Sequence, residues 1–356
     1  MRRLYFSLTF VCFLFCQMAT FAVSQAPSEK VTFIYIHGVY EVDPKVFDKE
    51  VVSLHKHFAN KRLGNYVISP EYKKIYWGDM PLSETSYKLF SSGLMAINTE
   101  NNVWKVKATT DPKISLLLNP INRMFLVGDM GSKSNAVFFR NFINNYVYQL
   151  VWVIADVVGH NTIFDKIESQ IDSVDGKYVI VAHSLGSAIS TKFIMERVML
   201  NPGEKFYNPR VSNNFAGLIT GGDVNNTFLA VKLARDLNGE KISENEKNFA
   251  RYFADNGKFW ISYNHRNDLF ATKLPEQITS YKNIPNSGIV SVVNKEFPFE
   301  AFVDFFRVGD SNNNIFEAHQ FMFSRPKDFA KGVLLAYSRD LMASNNSKSK
   351  IKKVIK

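Results

Sequence analysis

The chain has 356 residues, of which 46 % are hydrophobic and 21 % charged, and this balance reads as globular. Its two cysteines, Cys12 and Cys16, both fall in an apolar N-terminal segment, so a chain without that segment has no disulfide, no thiol nucleophile and no cysteine metal site. The formal charge is +10, but no nucleic-acid-binding motif accompanies it, so nucleic acid is not an expected partner.

Arg2 and Arg3 precede an almost unbroken apolar stretch from Leu4 to Cys16, and Ala22-Val23-Ser24 offers small residues where a signal peptidase reads. Residues 1–24 are therefore expected to be a signal peptide, cleaved before Gln25, with a secreted or periplasmic product. An uncleaved membrane anchor is the alternative. The two arginines would leave with no acid, taking the charge from +10 to +8.

Val31 to Ile36 is a continuous apolar run, suited to a strand covered on both faces. His37-Gly38-Val39 follows at its end. Pro44 to Asn60 predicts a helix, with Phe47, Val51, Leu54 and Phe58 on one side. Ile75-Tyr76-Trp77 predicts a short strand ended by Gly78-Asp79. Residues 80–155 break the alternation and predict a helical insertion over the strand ends. It reads either as a lid or lipid-facing cap, or as ordinary core helices. Asn145 to Val158 within and beyond it is apolar, but it is short for a bilayer span and carries Asp156.

Ile163, Ile167 and Ile171 mark the next helix, and Asp172 to Lys177 a polar turn. Tyr178 to Ala182 is a run of strand formers that stops at Ser184, after which Leu185, Ile189 and Phe193 take helical spacing. Further strands are predicted at Phe215 to Thr220, closed by Gly221-Gly222, at Phe259 to Tyr263, at Gly288 to Val293 and at Phe302 to Val308. Phe329 to Met342 predicts a terminal helix. Residues 344–356 form a basic, disordered tail with Lys348, Lys350, Lys352, Lys353 and Lys356. It reads as a solvated terminus or as a weak contact with anionic membrane. The alternation predicts an α/β fold with a mostly parallel central sheet flanked by helices. Ligands in such sheets bind beyond the carboxyl ends of the strands, where His37, Asp79, Ser184, Asp223 and Asp268 all fall.

Strand, sharp turn and helix around Ser184 form the context of a nucleophile elbow. The strained serine backbone requires small residues two positions away on either side, here Ala182 and Gly186. A serine hydroxyl needs a base, and the base needs an orienting acid. Of the seven histidines, His319 lies late in the chain, in a loop after Asn312-Asn313-Asn314, and is the expected base. The acid is expected between Ser184 and His319. Asp268 fits best, with Asp223 and Asp310 as the other candidates. Oxyanion donors are expected at the backbone N–H groups of Leu185 and Val39, with His37 and Gly38 shaping that loop. Loss of one such donor typically costs about a hundred- to a thousand-fold in rate.

Tyr35-Ile36-His37-Gly38, Ala182-His183-Ser184-Leu185-Gly186, Asp268 and His319 together resemble the α/β-hydrolase superfamily. More narrowly they resemble its bacterial lipase and serine-esterase branches, some of which carry Ala-His-Ser-x-Gly. Tyr76-Trp77-Gly78-Asp79 and Ala155-Asp156-Val157-Val158 are similar to segments of serine esterases of that superfamily. The resemblance spans roughly residues 31 to 325, and it implies an α/β-hydrolase domain over residues 25–343. One departure stands out. A Gly-Ser-Pro type segment is expected after the strand that follows the elbow, and Gly221-Gly222-Asp223 is there instead.

The expected function is hydrolysis of carboxylic esters, with a small-molecule or lipid-like acyl ester as substrate and no metal or organic cofactor. Two other classes remain open at this point. One is a non-catalytic secreted binding protein on the same fold; the other is a membrane-anchored factor that binds lipid.

Overall fold

The computed structural model describes residues 28–38, 43–77, 157–224, 244–265, 268, 271, 289–294 and 319–338. The expected leader, insertion 80–155, strand at 302–308 and basic tail lie outside these residues, as do Val39, Asp79 and Asp310.

The chain opens with β1 (Glu29–Ile36) and α1 (Pro44–His55), followed by β2 (Arg62–Leu63) and β3 (Tyr66–Ile75). Next come α2 (Val157–Asp172), β4 (Lys177–His183), α3 (Leu185–Phe193), α4 (Pro209–Asn214) and β5 (Phe215–Gly221). The remainder is α5 (Glu244–Asp255), β6 (Phe259–His265), β7 (Ile289–Asn294), the single turn α6 (Phe321–Ser324) and a helix, α7, over residues 326–338.

The strands form one sheet in the order β2-β3-β1-β4-β5-β6-β7. β2 is antiparallel to β3, and every other pairing is parallel. Alternate residues of each central strand enter two cores, one on each face, as the two-residue side-chain period demands. Ile34, Ile36, Ile180, Ala182 and Leu218 meet Phe164, Phe193 and Phe253 of α2, α3 and α5. Phe33, Tyr35, Val179, Val181 and Ile219 meet Phe47, Leu54 and Phe58 of the α1 segment and Phe329 and Val333 of α7. Parallel strands covered this way are apolar on both faces, which is why β4, β5 and β6 are legible as unbroken hydrophobic runs.

Three expectations need correction. The first helix stops at His55 and not at Asn60: residues 56–60 are turns, and Asn60 takes φ 61°, outside any right-handed helix. Phe58 still reaches the core from that turn. The strand expected at Ile75 to Trp77 is in fact the end of a longer one, with Tyr76 and Trp77 beyond it. β3 begins at Tyr66, and its polar Ser69-Pro70-Glu71 stretch hides it from an apolar-run reading. There the pairing slips, from Val31–Ile68 to Phe33–Tyr72. Pro70 has no N–H to give a ladder, and a bulge is where a strand tolerates it. The terminal helix starts three residues earlier than expected, with Pro326 at its first position, where a missing N–H costs nothing.

Candidate active site

Ser184 sits between β4 and α3 with φ 51° and ψ −125°. Positive φ is unfavourable for any residue with a Cβ, by about 1–3 kcal/mol. Two hydrogen bonds fix the turn: the Ser184 N–H donates to the Gly221 carbonyl at 3.0 Å, and its carbonyl accepts from the Ser187 N–H at 2.9 Å. The Ser187 hydroxyl also donates to that carbonyl, and accepts from the Val224 N–H at 3.2 Å. Ser187 thereby ties the elbow to the loop after β5.

The small flanking residues have different reasons. A Cβ on Gly186 would collide with the His37 carbonyl oxygen and lie 2.7 Å from that of Ile36, both backbone atoms of the first strand and its exit. Ala182 instead points its methyl into the core on the α2–α3 side and is fully buried. A methyl fits at that position, and no side chain fits at the other. Gly38 is equally constrained, since its Cβ would lie 2.6 Å from Ser184 Cβ. The backbone leaving β1 thus passes directly over the serine. His37 holds that backbone in place. Its Nε2 accepts from the Trp77 N–H at 2.9 Å, its carbonyl accepts from the Trp77 indole at 3.0 Å, and the two rings stack 5° from parallel.

The ring of His319 meets Ser184 across 135 residues of sequence. Its Nε2 is 2.7 Å from Ser184 Oγ. Its Nδ1 lies 2.9 Å and 3.1 Å from the two carboxylate oxygens of Asp268. A carboxylate can only accept, so Nδ1 carries the proton and Nε2 is left to accept from the serine hydroxyl. Asp268 is oriented in turn: its N–H donates to the His265 carbonyl at 3.1 Å, and Oδ1 accepts from the Ala271 N–H at 3.0 Å. Ser184, Asp268 and His319 are all nearly removed from solvent. Comparisons with protein-family models, with curated proteins and with solved structures find no match to this chain.

Asp223, the second candidate acid, is engaged elsewhere. Its Oδ2 accepts from the Thr220 hydroxyl at 2.6 Å and the Ser262 hydroxyl at 2.9 Å, and its N–H donates to Asn264 Oδ1 at 3.0 Å. It cross-links the ends of β5 and β6, while Asp268 is the acid that meets His319. Leu185 is the first residue of α3, so its N–H belongs to the first turn, which has no acceptor within the helix. Among the described residues, no cluster of three or more His, Cys, Asp or Glu side chains could hold a metal ion. No helix among them is long and apolar enough to cross a membrane.

Two contributors escape sequence reasoning. Trp77 is recognisable as an aromatic at a strand end, but its two hydrogen bonds to His37 depend on β3 lying next to β1. His183 reads only as a neighbour of the serine. In the fold its Nε2 donates to the carbonyl of His319 at 2.9 Å. Burial, with His319 next in importance, pulls His183 down to about 3, so it is a neutral donor.

Proposed function

We propose that this chain is a serine hydrolase of the α/β-hydrolase fold that cleaves carboxylic esters. One observation carries the reading: a buried imidazole bridges a buried carboxylate and a serine hydroxyl, at 2.9 Å and 2.7 Å, and that serine is held at φ 51°. The parallel run β3-β1-β4-β5-β6-β7 supports it, because the serine, the acid and the glycine loop all follow the carboxyl ends of its strands.

In the proposed chemistry Ser184 Oγ attacks the ester carbonyl while its proton passes to His319 Nε2. The carbonyl electron pair moves onto oxygen, where the Leu185 N–H and a second donor from the loop after Gly38 receive it. Collapse of this intermediate breaks the bond to the alcohol, which departs with the proton from Nε2. Water then attacks the acyl-enzyme, gives its proton to Nε2, and releases the acid with Ser184 restored. Asp268 keeps Nδ1 protonated and stabilises the imidazolium that forms. The apolar character of residues 80–155 favours an acyl or lipid-like substrate, and the leader predicts export with the mature chain starting at Gln25.

A fluorophosphonate probe tests the nucleophile. Wild type should label once and Ser184→Ala not at all; equal labelling would sink the proposal. Nitrophenyl esters of rising chain length then test the substrate class, since a preference for short chains alone argues against a lipid. The mass of the exported chain checks the N-terminus.

A further inference from the structure

His183 lies beside the proposed nucleophile but takes no part in the proposed proton path. The residue is 3 % exposed, and its Nε2 donates to the His319 carbonyl at 2.9 Å. Phe323, from the turn just after His319, packs edge-on against the same ring at 5.1 Å. Space is cleared for this contact on both sides. A Cβ on Gly38 would lie 3.1 Å from His183 Nδ1, and one on Gly222 would lie 3.1 Å from its Nε2. Gly222 has φ +57°, and its Cβ would also fall 2.8 Å from the His319 carbonyl oxygen, inside the hydrogen bond itself.

We infer that His183 is a positioning residue, which fixes the backbone of His319 so that the imidazole meets Ser184 at reacting distance. The inference rests on the reading of Ser184 and His319 as nucleophile and base. Asp268, Ser184 and His183 are among the groups that hold His319. The first two meet its ring, and the bond to Ser184 is given up whenever the proton moves. The bond from His183 is to main chain, involves no reacting atom, and persists through both half-reactions. The residue type suits the task. The imidazole is short enough to span from the elbow to the facing carbonyl, its flat body packs against Phe323, and its tip donates one hydrogen. Its burial keeps it uncharged, so it adds no repulsion when His319 becomes an imidazolium. Lysine or arginine in its place would bring a permanent charge beside that cation.

The test uses the full exported chain as wild type, His183→Leu, His183→Gln and Gly222→Ala. Fluorophosphonate titration counts competent sites, so that kcat on a nitrophenyl ester is expressed per site. Nitrogen-15 histidine spectra follow the His319 Nδ1 proton, assigned by its loss in His319→Gln. Misplacing a reacting group by about 1 Å can cost about a hundredfold. His183→Leu should therefore lower per-site kcat by about ten- to a hundredfold, with KM within about twofold, and shift the Nδ1 proton. His183→Gln, whose side-chain amide reaches the position of Nε2, should recover most of the rate. Gly222→Ala crowds the His319 carbonyl directly and should lower per-site kcat with His183 intact. If His183→Leu does not fold, His183→Asn, whose shorter amide stops at the position of Nδ1, decides by showing the same loss of per-site kcat or none. A purely structural His183 would reduce the number of competent sites and leave per-site kcat and the Nδ1 proton unchanged; that result overturns the inference. Should wild type turn over no ester, the hydrolase reading fails, while the spectra still decide whether His183 positions His319.

Discussion

At Asp268 one carboxylate sets the behaviour of two side chains. The carboxylate forces the Nδ1–H tautomer on His319 and leaves Nε2 able to accept. In Asp268→Asn an amide N–H can face Nδ1 instead, which selects the opposite tautomer and points a proton at Ser184 Oγ. The expected loss is about ten-thousandfold in kcat with little change in KM, measured by steady-state ester hydrolysis. A loss below tenfold would show that another group orients the base. Gly38 gives a second test at this scale. Gly38→Ala places a methyl 2.6 Å from Ser184 Cβ, and it should abolish turnover while thermal unfolding shows a chain that still folds. That Asp268 rather than Asp223 meets His319 follows chain order, because Asp268 lies three residues past the end of β6, where a loop has room to turn toward a late histidine. The part played by His183 does not, because its partner lies 136 residues away and the bond is to a backbone carbonyl, which every residue has.

Elements built of long apolar runs were the legible ones. β1, β4, β5 and β6 lie inside the sheet, are covered on both faces, and carry almost nothing but strand-forming residues at their centres. β2 is two residues long at an edge, and most of β3 beyond Ile68 is polar or half-exposed, so neither has a signal of that kind. α4 and α5 were missed for related reasons. α4 is six residues long, too short to show a period, and α5 mixes its buried Phe249 and Phe253 with charged and amide residues. The junction of α3 with β1 shows how closely elements can constrain a residue. Gly186 lets the first turn of α3 rest on the carbonyls of Ile36 and His37. Neither carbonyl belongs to a movable side chain, so Gly186→Ala must displace the strand or the helix. It is expected to cost about 1–3 kcal/mol of stability, read by urea unfolding, and to lower the proposed esterase activity with it. An unchanged midpoint would mean that the elbow has more freedom than its packing indicates.

Over the whole molecule, the burial of His183 links stability to pH. Folded His183 stays neutral down to about 3, whereas in the unfolded chain it protonates near its ordinary value of 6.5. Between those values acid supplies protons to the unfolded state alone. The stability due to this residue is therefore complete above about pH 6.5 and falls as pH drops toward 3, by at most about 1.4 kcal/mol per pH unit. Glu50 acts in the opposite sense, because burial raises it from 4.5 to about 7 and the folded state then takes up its proton first. It offsets part of the loss between about pH 7 and 4.5. The difference between wild type and His183→Gln isolates the histidine: unfolding midpoints across this range should converge as pH falls, and parallel curves would show that His183 is already charged in the folded protein.

The central position of β1 has a consequence for how the molecule comes into being. β1 pairs Val31 with Ile68 on one side and Val31 with Lys177 on the other. Its second neighbour is therefore made only after more than a hundred further residues have been synthesised. Parallel pairings at such separations close slowly, because the entropy of a long loop must be lost before any contact compensates for it. During that interval the apolar edge of β1 lies open, and a nascent chain exposes it to chaperones. Among the described residues the last to arrive are His319, the proposed base, and α7, which covers one face of the sheet. A ribosome that stalls before residue 319 therefore leaves a product lacking both the proposed base and that cover, so that on the hydrolase reading loss of activity and exposure to proteolysis coincide in the same truncated chains.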